Sequence, residues 1–116
     1  MKQDNLIVNK TFDFALSIVA LYKILNANHE YVLSKQVLRS GTSVGANVEE
    51  AIGAHSRKDF ISKMVISYKE ARETRYWLKL LNASQIVKTD YSKHLKYIEE
   101  IINILTAIIK TSKQTP

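Results

Sequence analysis

The chain has no cysteine, one proline and three glycines among 116 residues. Without cysteine there can be no disulfide framework, no thiolate zinc site and no cysteine nucleophile, and the expected compartment is the reducing cytoplasm. So little proline and glycine argues against a many-turned β fold and for long helices joined by short connections. No segment approaches the ~18 apolar residues of a membrane span, and the opening MKQDNLIVNKTF has no uninterrupted apolar core of the kind a secretion signal needs; no membrane partner is expected. Phosphate loops and dinucleotide-binding glycine patterns are missing too, because Gly41, Gly45 and Gly53 fall within a helical pattern rather than after a strand. What is present is 46% hydrophobic residues, enough for one sizeable core, so 1–116 reads as a single domain.

Apolar spacing predicts four helices, at about 5–27, 33–55, 57–81 and 91–111. In the first, Val8, Phe12, Ala15, Val19 and Tyr22 make one stripe, and Phe14, Ile18, Leu21 and Leu25 make a second beside it. The second helix offers Leu33, Val37, Val44, Val48, Ala51 and Ile52 to the core, the third Phe60, Met64, Ala71, Leu78 and Leu81, and the fourth a run from Leu95 to Ile109. Ser56 and Asp90 are suited to cap the third and fourth helices, while Asn26–Glu30 and Asn82–Ser84 read as breaks and the C-terminal TSKQTP as frayed. The fold class is all-α, an antiparallel up-down-up-down four-helix bundle. The apolar arcs of the first and fourth helices exceed the ~100° stripe of a simple surface helix, which points to self-association.

The second helix also carries a polar seam. Gln36, Ser40, Ser43, Asn47 and Glu50 recur at spacings of four, three, four and three, so they share a face. A buried polar group left unpaired costs about 1–3 kcal/mol, so these residues need partners. With Arg39 they are expected to pair with groups such as Ser67, Glu70 and Thr74, or with a neighbouring subunit, and so to fix register. The other reading is a pocket for a small polar ligand or nucleotide.

With Gln36, Arg39-Ser40, Ser43, Asn47 and Glu50 on one helix and Ser56, Asp59-Phe60 and Glu70 on the next, the chain resembles the four-helix proteins encoded in intervening sequences of bacterial 23S ribosomal RNA. That family is related to the accessory protein of diversity-generating retroelements. The resemblance runs from Phe12 to about Ile109, with one departure, Ala51 where many relatives have glycine. It implies an antiparallel four-helix bundle assembled as a homopentameric ring, a link to nucleic acid, and no enzymatic activity.

Charge is concentrated on the third helix. Net charge is +6, and residues 57–81 hold seven basic and three acidic side chains, four of those six units. Tyr68, Arg72, Arg75 and Lys79 lie on one ridge, with Lys69 and Tyr76 beside it and Arg57, Lys58 and Lys63 extending the positive potential. Cations beside aromatic rings suit phosphate contact and base stacking, so RNA or DNA is the leading partner, through Arg57, Lys58, Tyr68, Lys69, Arg72, Arg75 and Lys79. A solvated surface is the plainer reading, since Glu70 and Glu73 lie within a turn. Trp77 reads first as a core or subunit contact and second as a stacking platform.

Catalysis is not expected. None of His29, His55 and His94 has the Glu three residues earlier that a di-iron bundle uses, and the adjacent pairs Glu49-Glu50 and Glu99-Glu100 diverge on a helix. No metal or cofactor is expected. The expected function is a non-catalytic homo-oligomer that binds nucleic acid; the alternative is a scaffold that docks a protein partner.

Overall fold

The computed structural model describes residues 2–114, and side chains over 5–114. Four helices, α1 (Lys2–Ala27), α2 (Leu33–Ile52), α3 (Arg57–Ser84) and α4 (Ser92–Gln114), make up almost all of it, and no strand occurs among the described residues. Each helix packs on its neighbour in sequence, and α4 also packs on α1, so the helices close a four-membered ring. The outline is a rod of 50 × 20 × 19 Å.

Local chemistry explains the helix ends at the three connections. The amides of His29 and Glu30 bond the Asn26 and Leu25 carbonyls at 3.0 and 2.9 Å, a Schellman closure that places His29 in the left-handed region at φ 63°. Glu30 then turns round: its carboxylate accepts from the Ser34 amide at 2.7 Å and so caps α2 in place of Val32, which offers no side-chain cap. Ser56 caps α3 as its sequence context predicts, its Oγ accepting from the Asp59 amide at 3.0 Å. Ser56 has extended backbone there, so the reversal out of α2 must be made before it, and α2 ends at Ile52 rather than near His55. Asn82–Ser84 do not break α3. It ends where Gln85 turns left-handed and donates from its side chain to the Asn82 carbonyl at 2.9 Å. Asp90 accepts from the Ser92 amide at 2.9 Å and caps α4. Thr111–Gln114, expected to fray, stay helical, while 115 and 116 lie outside the described residues.

Of the two α1 stripes, Phe14, Ile18, Leu21 and Leu25 are buried, together with Ile7. The other stripe is only partly covered: Phe12 is 64% exposed and Val19 is exposed, while Val8, Ala15 and Tyr22 are half-buried, and Leu6, Leu16 and Ile24 are exposed elsewhere on the helix. The wide arc of α4 behaves differently. Ile98, Ile101, Ile102, Leu105 and Ile108 are all buried within the chain, so the expectation of an uncovered apolar face holds for α1 and fails for α4. The α3–α4 link supplies two core residues that periodicity does not reveal. Val87 and Tyr91 plug the end of the bundle, and the Tyr91 hydroxyl donates to the Val87 carbonyl at 2.8 Å.

The slimmest helix is α2. A Cβ at Gly41 would stand 2.9 Å from Ile18 Cγ2, and one at Gly45 would stand 3.3 Å from the Thr11 carbonyl oxygen, so α1 and α2 approach almost backbone to backbone. On its other flank, buried Ser67 donates to the Val44 carbonyl at 2.7 Å, and the buried hydroxyls of Ser40 and Thr74 share a bond of 3.0 Å. Residue numbers rise on α2 as they fall on α1 and α3 (41 to 18 and 45 to 11; 40 to 74 and 44 to 67). On the far side His94 lies against the Ser17 carbonyl at 3.4 Å, and burial pushes its imidazole below the usual value, which keeps it neutral at pH 7.

This close approach makes a direct prediction. Alanine normally improves a helix over glycine by about 0.5–1 kcal/mol, but at Gly41 the added methyl must displace buried Ile18, at a cost of about 1–3 kcal/mol. Gly41→Ala should therefore lower the urea midpoint. A rise would show that α1 and α2 have room to spare.

Candidate nucleic-acid interface

The inward residues of α3 are Met64, Ser67, Ala71, Thr74, Leu78 and Leu81. Helical geometry then turns the ridge of Tyr68, Arg72, Arg75 and Lys79 sideways, toward the α4 flank. A groove forms between the two helices. At one end it has about 790 Å³ of space, lined by Arg75 and Lys79 from α3 and by Leu95, Lys96 and Asn103 from α4. Midway, Val65 and Ile109 make an apolar floor under Tyr68, Lys69, Lys110 and Lys113. At the other end Arg57 and Lys58 meet Ile61 and Lys113. From Arg57 to Lys79 the basic flank of α3, of which the ridge from Tyr68 to Lys79 is one half, spans roughly 33 Å at 1.5 Å per residue.

Two acids, Glu99 and Glu100, enter this groove, and both are already paired. Arg75 Nη1 is 2.8 Å from Glu99 Oε2, and Lys10 of α1 is 2.8 Å from Glu100. The hydrogen bond from Lys10 holds the Glu100 carboxyl below the usual carboxylate range. Arg72 donates to the Tyr68 hydroxyl at 3.0 Å and lies 5.7 Å from that ring's centroid, a cation–π arrangement that fixes the guanidinium along the groove. Arg57 and Lys58 occupy the first turn of α3, where the helix dipole disfavours cations.

All seven residues of the basic set thus lie along one flank of α3. Lys96, Lys110 and Lys113 face them from α4, and spacing within α3 holds no sign of these. They are visible in sequence only as part of the polar face of α4, and it takes the packing of the two helices to say which ridge they oppose.

The polar seam divides. Ser40 is buried and bonded to Thr74; Gln36, Ser43 and Asn47 are half-buried; Arg39 and Glu50 are exposed. Ser43 and Asn47 bond back to the Arg39 and Ser43 carbonyls of their own helix, at 2.7 and 2.9 Å. The seam is therefore not one inward face, because a short polar side chain on a helix can satisfy itself locally. Cross-helix pairing comes from Ser40, from Arg39 with Glu70 and Glu73, and from Glu50 with Lys63.

Glu73 also accepts from the Trp77 indole at 2.9 Å. That bond, then Arg39, holds the Glu73 carboxyl below its ordinary 4.5 against the opposing effect of burial. The folded state thus favours the ionised form. The resulting stabilisation is complete above pH 4.5 and is lost as pH falls through the lowered folded value. Trp77→Phe should lower the melting temperature at pH 7, with the gap from wild type narrowing in acid. A gap independent of pH would mean that Trp77 acts through packing alone.

The family model described as 23S rRNA-intervening sequence protein matches residues 3–107. A crystal structure of a protein of unknown function from the S23 ribosomal protein family, from Bacteroides thetaiotaomicron VPI-5482, is similar to this chain at 49% identity and a TM-score of 0.88. That match covers 93% of this chain and 98% of the other. The search of curated proteins found no match. A bundle of this shape, matched over nearly its whole length, places the chain in the 23S rRNA-intervening sequence protein family.

Proposed function

We propose that this protein is a non-catalytic, homo-oligomeric, antiparallel up-down-up-down bundle that binds RNA or DNA along the α3–α4 groove. The observation that carries the proposal is the meeting of two sets of cations across one groove. Arg57, Lys58, Lys69, Arg75 and Lys79 line it from α3 and Lys96, Lys110 and Lys113 from α4, Arg72 is held beside it on Tyr68, and of the two acids Glu99 is paired with Arg75 of this set and Glu100 with Lys10 of α1. Phosphates are the natural counterions for such a surface, and their binding releases condensed salt. Falling residue numbers opposite rising ones support the antiparallel reading, and the absence of cysteine supports a cytoplasmic location. Kinship with the retroelement accessory protein belongs to the same proposal.

Binding to labelled RNA and DNA across a salt series tests it. Each phosphate contact removed should flatten the slope of log affinity against log salt by about 0.7–0.9. Arg72→Ala with Lys79→Ala should weaken binding at least tenfold and reduce the slope by about 1.4–1.8. Unchanged affinity and slope in a folded double variant would contradict the proposal.

Assembly is assigned to α1. Leu6, Phe12, Leu16, Val19 and Ile24 are exposed along it, with Phe12, Leu16 and Val19 on one face, and exposed apolar side chains grouped in this way suit an interaction surface. Within the proposal the strip joins subunits into a ring, five by resemblance. The same strip is the one observation that favours the second reading, a scaffold that docks a protein partner without nucleic acid. Phe12→Lys with Leu16→Lys should release 13.3 kDa monomers in sedimentation. An assembly of unaltered mass would leave the strip to a different protein.

A further inference from the structure

We infer that Tyr76 is a base-stacking residue and that the strand held by the groove is single-stranded. This rests on the groove being a nucleic-acid interface and deepens that reading. Tyr76 is 58% exposed and belongs to the outward surface of α3, next to the basic ridge. Arg72 lies four residues before it and Lys79 three after, the spacings of neighbouring positions on a helix, with the Arg72 guanidinium itself held against Tyr68. Lys69 continues the same row one turn further back.

The ring is also supported from behind. Trp77 meets it edge-on, with centroids 5.1 Å apart and planes at 71°. The Trp77 indole is pinned by its 2.9 Å bond to Glu73, which Arg39 of α2 holds in turn. Tyr76 therefore presents ring surface to solvent while keeping an edge contact with a Trp77 that is itself held by Glu73. Nothing in the bundle requires an aromatic ring at this outward position. A duplex keeps its bases stacked inside, out of reach of a ring on a convex helix. A single strand tracking the cations can lay a base on that ring, and stacking of this kind tolerates any sequence because every base has a π-face.

The test compares wild type, Tyr76→Phe and Tyr76→Ala against a labelled single-stranded RNA of about 12 nucleotides and a duplex of the same length. Tyr76→Ala should weaken single-strand binding roughly 5- to 150-fold, leave duplex binding unaltered and keep the salt slope of wild type. Tyr76→Phe should bind like wild type. Trp77 is the only tryptophan, so its fluorescence reports directly: the single strand should quench it and the duplex should not. Stacking is overturned if Tyr76→Ala loses nothing, or loses equally for both forms, while Arg72→Ala with Lys79→Ala still weakens binding. If wild type binds neither form, the groove proposal falls and the stacking falls with it.

Discussion

Everything in this bundle depends on how closely α2 can be approached. Gly41 and Gly45 let the α1 backbone come within contact of it, and on the other side Ser67 reaches the Val44 carbonyl of α2 itself. Both flanks of α2 are consequently tight at these positions. The cost of so close a fit is the burial of polar groups. It is offset at four of the five buried serine and threonine hydroxyls among the described residues, those of Ser40, Ser67, Thr74 and Thr11, which each have a partner, and not at Ser34, whose hydroxyl has none. With α1 and α3 held to α2, α4 closes the ring with a row of isoleucines.

The groove follows from this arrangement. Once Ala71, Thr74 and Leu78 are committed to the core, the 3.6-residue period turns Tyr68, Arg72, Arg75 and Lys79 toward α4 and leaves Glu73 and Trp77 on the α2 side. Glu70 and Glu73 of α3 are thereby spent on Arg39, away from the groove, while Glu99 and Glu100 of α4 stay at the groove, paired with Arg75 and Lys10. With Glu70 and Glu73 drawn to the α2 side, cations outnumber acids along the α3–α4 flank, where Glu99 remains on Arg75, in a protein whose net charge is +6.

The sequence shows four helices plainly because hydrophobic periodicity over twenty or more residues leaves little room for another answer. Ser56 as a cap was legible for the same local reason. Residues whose roles depend on a partner element were not. Tyr91 and Val87 lie in a link with no period, and their burial is decided by the open end of the bundle. Phe12 and Phe14 are equivalent as letters, yet only Phe14 faces the core, because α1 can turn just one of its two stripes inward. Ser43 and Asn47 carry the right spacing for a shared seam, but bonds to their own helix satisfy them first. The basic ridge was visible on α3, whereas Lys96, Lys110 and Lys113 acquire meaning only once α4 is docked beside it.

Lysine-reactivity footprinting by mass spectrometry, on free protein and on protein saturated with single-stranded RNA, addresses the central claim most directly. The groove account predicts protection of Lys69, Lys79, Lys96, Lys110 and Lys113, with the exposed Lys23 of α1 and Lys35 of α2 as reactive as before. Uniform protection of all lysines, or protection centred on Lys23 and Lys35, would contradict it.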